Sequence, residues 1–179
     1  MNNRILTISA LIFSAALLRL LPHAPNFSPI GAIALFGGAY LSRKAFAYLV
    51  PLAAMLVSDI FLGFYGPEML ITYAGFVASI FIGTQLKKNI TWYNVALGSV
   101  ASSIAFFLIT NCVFFYPQSL GPIYTHNFAG LINSYVAGWP FFQNTFLSDL
   151  VFNAALFGGF YLLQINIPSL QTEKIKVSK

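Results

Sequence analysis

Long apolar runs broken by brief polar interruptions give this chain its pattern. The stretches between its few charged clusters are mostly apolar and roughly 17 to 25 residues long, the length a helix needs to cross about 30 Å of hydrocarbon. The pattern predicts six membrane-spanning helices, at 5–21, 28–42, 45–63, 68–86, 92–115 and 141–165. The second is the shortest and follows "PHAPNFSP", residues 22–29. There the prolines predict a rigid, extended re-entry turn, with Ser28 as N-cap and Pro29 in the first helical turn. Beyond it, Ala34, Gly37 and Gly38 predict close approach of another helix, because small residues let helix backbones meet where lipid provides no hydrophobic drive.

Polar positions inside the runs recur at helical spacing. Thr145, Asp149 and Asn153 share one face of the sixth predicted helix, being four apart. Ser99, Ser103 and Thr110 align on the fifth, with Asn111 and Cys112 near its outer end. Thr72, Gly75, Ser79 and Gly83 align on the fourth and read as a packing groove. The long 116–140 connection, "YPQSLGPIYTHNFAGLINSYVAGWP", has two readings. It is a lid over a site, or an interfacial segment whose Tyr124, Tyr135 and Trp139 sit at headgroup level.

Composition agrees with a lipid environment: 58% of residues are hydrophobic and 7% charged, the mean hydropathy is +0.78, and soluble domains carry about 25% charged residues. The fold class expected is an all-α polytopic membrane protein, with one domain at 1–165 and a short basic tail at 166–179. A single cysteine excludes an internal disulfide. The N-terminal run resembles a signal peptide in outline, but Arg19 interrupts its end and no small-x-small cleavage site follows, so a retained first helix is expected.

The net charge of +5 comes from scattered pairs and a tail, a topology signal rather than a nucleic-acid surface. With the N-terminus inside, Arg4, Arg43, Lys44, Lys87, Lys88 and the tail's Lys174, Lys176 and Lys179 all fall on the cytoplasmic side, eight of the nine basic residues. The outer connections 22–27, 64–67 and 116–140 contain no Lys or Arg.

Apart from the tail's Glu173, that topology gathers the remaining Arg, His, Asp and Glu residues in the outer half: Arg19, His23, Asp59, Glu68, His126 and Asp149. Charges within spans are costly and face the protein interior or a wet cavity, so the cluster is a candidate site. Arg19 paired with Asp59 or Asp149 is equally a structural ion pair, and His23 equally a headgroup-level residue. Motifs for Walker-type nucleotide binding, zinc proteases and serine hydrolases are missing. Two histidines at unhelpful spacing point to no metal, and no resident cofactor is expected.

Three stretches, "RLLPHAPNFSPIGAIALFGGAYLSRK", "ITNCVFF" and "SYVAGWPFFQNTFLSDLVFNAALFGG", resemble an uncharacterised family of small bacterial membrane proteins regarded as transport proteins. That family is itself similar to the S components, the substrate-binding subunits, of energy-coupling factor (ECF) vitamin transporters. The resemblance runs to about residue 165. It implies a six-helix bundle in the bacterial cytoplasmic membrane, termini inside, capturing a vitamin or similar micronutrient from outside. An ECF coupling protein and ATPases encoded elsewhere would complete uptake. Ala10 and Ser14 occupy the small-residue positions used for docking the coupling protein. Some cobalamin-binding members ligate cobalt through a cysteine, which makes Cys112 a candidate and cobalamin one possible vitamin.

The leading expectation is therefore a substrate-binding subunit, not an enzyme. Asp149, Asn144, Asn111 and Arg19 would bind polar groups. Phe142, Trp139 and Tyr135 would stack on a ring, with His23 and Asn26 at the mouth. The alternatives are an inner-membrane scaffold without a small ligand, and an intramembrane enzyme using Asp149 and His126.

Overall fold

The structure, a computed structural model, describes residues 3–64, 66–116 and 124–171. Among these are six α-helices and no strand: α1 (Asn3–Leu17), α2 (Ile30–Tyr40), α3 (Lys44–Leu62), α4 (Met69–Leu86), α5 (Trp92–Thr110) and α6 (Phe128–Asn166). Each long helix buries a stripe and turns apolar bulk outward. α1 buries Ile8, Ile12, Ala15 and Ala16 while Leu6, Phe13 and Leu17 face out. Across the molecule large apolar side chains such as Phe61, Leu70 and Trp92 are exposed, whereas Asp59, Ser79, Ser102, Ser103, Asp149 and Asn153 are buried. This distribution, polar within and apolar without, suits a lipid solvent. Five helices are long and apolar enough to cross a membrane; α2 is not.

α2 is instead the centre of the bundle. Its 11 residues span only about 16 Å, and Gly31 to Ala39 are all buried. It packs on α1, α3, α4, α5 and α6, which its small side chains permit. At the α2–α4 crossing the backbones nearly touch: a Cβ added to Gly38 would strike the Ile80 carbonyl, and one added to Gly83 the Leu35 carbonyl. Pro51 of α3 lies against Gly37.

The elements begin and end for local reasons. Thr91 caps α5 by accepting from the Asn94 N–H, and Gly63, at φ +90°, ends α3 in a region disfavoured for side-chain-bearing residues. The segment before α2 forms a tight turn in which the Phe27 N–H donates to the Ala24 carbonyl. Pro25 and the left-handed Asn26 (φ 60°) fill its centre, the arrangement of a type II turn.

Three expectations are corrected. Pro29, not Ser28, is the N-cap of α2, and no side chain of its own caps it; the Ser28 carbonyl instead accepts from Ser148 Oγ. The first helix gives way to a short 3-10 turn at Leu18–Leu20. The last helix starts at Phe128, not residue 141, and continues through Pro140 for 39 residues, about 58 Å. Its start is fixed by Asn127, whose side chain accepts from the Gly130 N–H at 2.8 Å. A proline within a membrane helix is tolerated because neighbouring groups re-satisfy the freed carbonyl. Tyr135 and Trp139 thus lie on a helix rather than in a loop. Residues 117–123 of the expected lid, and 172–179 of the basic tail, lie outside the described residues.

Candidate functional site

At the end of the bundle where α1 and α3 finish and α4 begins, a cavity of about 450 Å³ opens. Arg19, His23, Asn26 and Ser28 line it from the segment before α2, and Ile30 and Gly31 from that helix's first turn. α5 contributes Phe106, Phe107, Thr110 and Asn111, and α6 contributes Gly138, Phe141, Phe142, Thr145 and Asp149. Four phenyl rings and a few polar groups thus face one concavity. The basic pairs Arg43–Lys44 and Lys87–Lys88 flank the far ends of the helices, opposite the cavity.

Asp149 is the deepest polar group. Its Oδ2 accepts from Ser103 Oγ at 2.6 Å, nearly a turn before the first of the lining residues of α5, Phe106. The carboxylate packs on Gly31, where any Cβ would collide with Oδ1. It also faces the backbone N–H of Ala32 in the first turn of α2, where free N–H groups favour negative charge. Even so, Oδ1 is buried and no donor among the described residues bonds it. One turn on, Asn153 Nδ2 donates to Ser99 Oγ at 2.9 Å, and Ser103 Oγ lies 3.0 Å from the Ser99 carbonyl. The polar faces of α5 and α6 therefore meet as a seam leading inward from the cavity.

Arg19 takes the structural pairing. Its Nη2 lies 2.8 Å from Asp59 Oδ1, with the two side chains 10% and 2% exposed. Its Nη1 donates to Ser58 Oγ, and Tyr73 donates to Asp59 Oδ2. The guanidinium borders the cavity with its charge already matched.

Six of the nine residues expected to bind substrate line the cavity: Asp149, Arg19, Asn111, Phe142, His23 and Asn26. The other three have different places. Asn144 Nδ2 donates to the Pro25 carbonyl, pinning the turn before α2 to α6. The Tyr135 hydroxyl donates to the Leu108 carbonyl, and Trp139 is exposed while its ring packs on Phe142. Cys112 and His126 are absent from the lining, His126 lying against Phe114 instead. Among the described residues no three His, Cys, Asp or Glu side chains gather as a metal site. Sequence reading missed Gly31, Phe106, Phe107 and Phe141. None carried a sequence signal of its place, since Gly31 meets Asp149 only through the packing of α2 on α6.

Residues 1–170 match a family model described as a family of unknown function, DUF6580. The chain belongs to this family. No curated protein and no solved structure matches it.

Proposed function

We propose that this DUF6580 protein is the substrate-binding membrane subunit of an uptake system for a vitamin-like micronutrient, similar to an ECF S component. The cavity carries this reading. It is within the roughly 300–1,000 Å³ of small-molecule sites and has their mixture of apolar walls and sparse polar groups. The positive-inside rule supports an outward-facing cavity, since the basic pairs lie at the opposite end and Arg19 is the one Lys or Arg among the described lining residues. Ala10 and Ser14 are exposed on α1, leaving a small-residue face open to a coupling protein. α2 then serves as a half-depth helix whose preceding turn re-enters the bundle to form the cavity's wall.

Native mass spectrometry of the protein extracted gently from its own membranes tests this. A reproducible small-molecule adduct, lost or much weakened in a folded Asp149→Ala variant, is expected. A bare protein mass under conditions that preserve other ligands would reject the reading.

A scaffold role has one observation in its favour. Gly158 and Gly159 are exposed on α6, and a Cβ at either would meet nothing within 4 Å, a face suited to a partner helix. Stoichiometric co-purification of another membrane protein, with no adduct, would favour it.

A further inference from the structure

We propose that the ligand of this cavity is an organic cation, an ammonium or protonated nitrogen heterocycle carried on an apolar or aromatic body. This rests on the reading of the cavity as a ligand site and adds the charge of what fills it.

Three observations converge. Asp149, 1% exposed, lines the cavity with a buried Oδ1 that no described group bonds, and a buried carboxylate oxygen left so is costly. Among the described residues no Lys or Arg beside the cavity is spare to satisfy it. Arg19 is held by Asp59 and Ser58, and His23 at the rim has its Nδ1 2.9 Å from the Ala24 carbonyl; that oxygen can only accept, so Nδ1 carries the hydrogen. Secondly, Phe106, Phe107, Phe141 and Phe142 border the same space, and phenyl faces attract cations. Thirdly, the charged side chains at this end, among the described residues, are Arg19 against Asp59, Glu68 and Asp149, a formal excess of two negative charges. Such a field draws cations in and repels anions. An N–H donor on the ligand would complete Oδ1, with the ring or apolar body among the phenylalanines.

The test compares benzylammonium, benzyl alcohol and benzoate as probes of one size and three charges. Their binding to the full-length protein in lipid nanodiscs is measured by calorimetry. Benzylammonium should bind about ten- to a hundredfold tighter than benzyl alcohol, the range for a hydrogen bond to a charged group, and benzoate weakest. Asp149→Asn, which keeps an acceptor for Ser103, should erase the preference. Equal or tighter binding of benzyl alcohol or benzoate to the wild type overturns the proposal whether or not the variant folds. So does displacement of benzylammonium by millimolar Na⁺, which would make the occupant a metal ion. Where no probe binds but a native adduct is found, its formal charge decides: a cation upholds the proposal, while a neutral or anionic adduct overturns it and leaves the binding-subunit reading standing. No adduct and no probe binding removes both.

Discussion

Single residues here are placed by the cost of burying charge. Arg19 and Asp59 are sequestered together, and the pair is completed by Ser58 and Tyr73. Removing one partner strands the other, at a cost of about 3–5 kcal/mol, while replacing both with apolar residues of similar volume costs far less. Arg19→Met and Asp59→Leu should each lower the thermal midpoint sharply in detergent, and the double variant should recover much of the loss. Additive losses would show that the pair is not coupled. Asn26 illustrates a different constraint. Its place in the cavity wall follows from a left-handed backbone that asparagine tolerates better than most residues.

At the scale of elements, α2 depends on the absence of side chains. Gly38 and Gly83 bring two helices to backbone contact, so the methyl group of Gly38→Ala has carbonyl oxygen in its way and no flexible neighbour to yield. Overpacking of this kind costs about 1–3 kcal/mol or more. Gly158→Ala, with nothing within 4 Å, should be neutral or slightly stabilising, because alanine is the better helix former. Thermal unfolding of the two variants side by side separates packing glycines from open ones; equal effects would remove the close crossing as the explanation. The elements also show where pattern reading fails. Pro140 reads as a boundary because a proline lacks an N–H, yet Asn127 caps a helix that runs straight through it. The asparagine in "HNFAGL" sits among glycines and aromatics, which by themselves read as a connection.

For the whole molecule, alternation of helix direction puts the basic pairs at one end and the three described acids, Asp59, Glu68 and Asp149, at the other. With Cys112→Ser as background, Lys88→Cys should react with a membrane-impermeant maleimide only after cells are permeabilised, and Asn127→Cys should react in intact cells. The reverse pattern would invert the protein and put the cavity in the cytoplasm.

The sequence by itself determined the helical class, the apolar spans apart from α2 and the start of α6, the sorting of charge along the chain and the polar faces of α5 and α6. Each of these is written in local composition or in a period of four. It also determined the turn at Pro25 and Asn26, because proline fixes its own φ and asparagine tolerates the left-handed region. Only the tertiary structure decided which charges meet. Arg19 had two acids within plausible reach, and the choice of Asp59 depends on how α1 packs against α3. That choice leaves Asp149 to the first turn of α2 and to the cavity. The sequence likewise could not show that a helix too short to span would occupy the centre, since that follows from five others closing around its small residues. Pairing and enclosure are properties of packing between distant segments, and a local pattern carries no record of them.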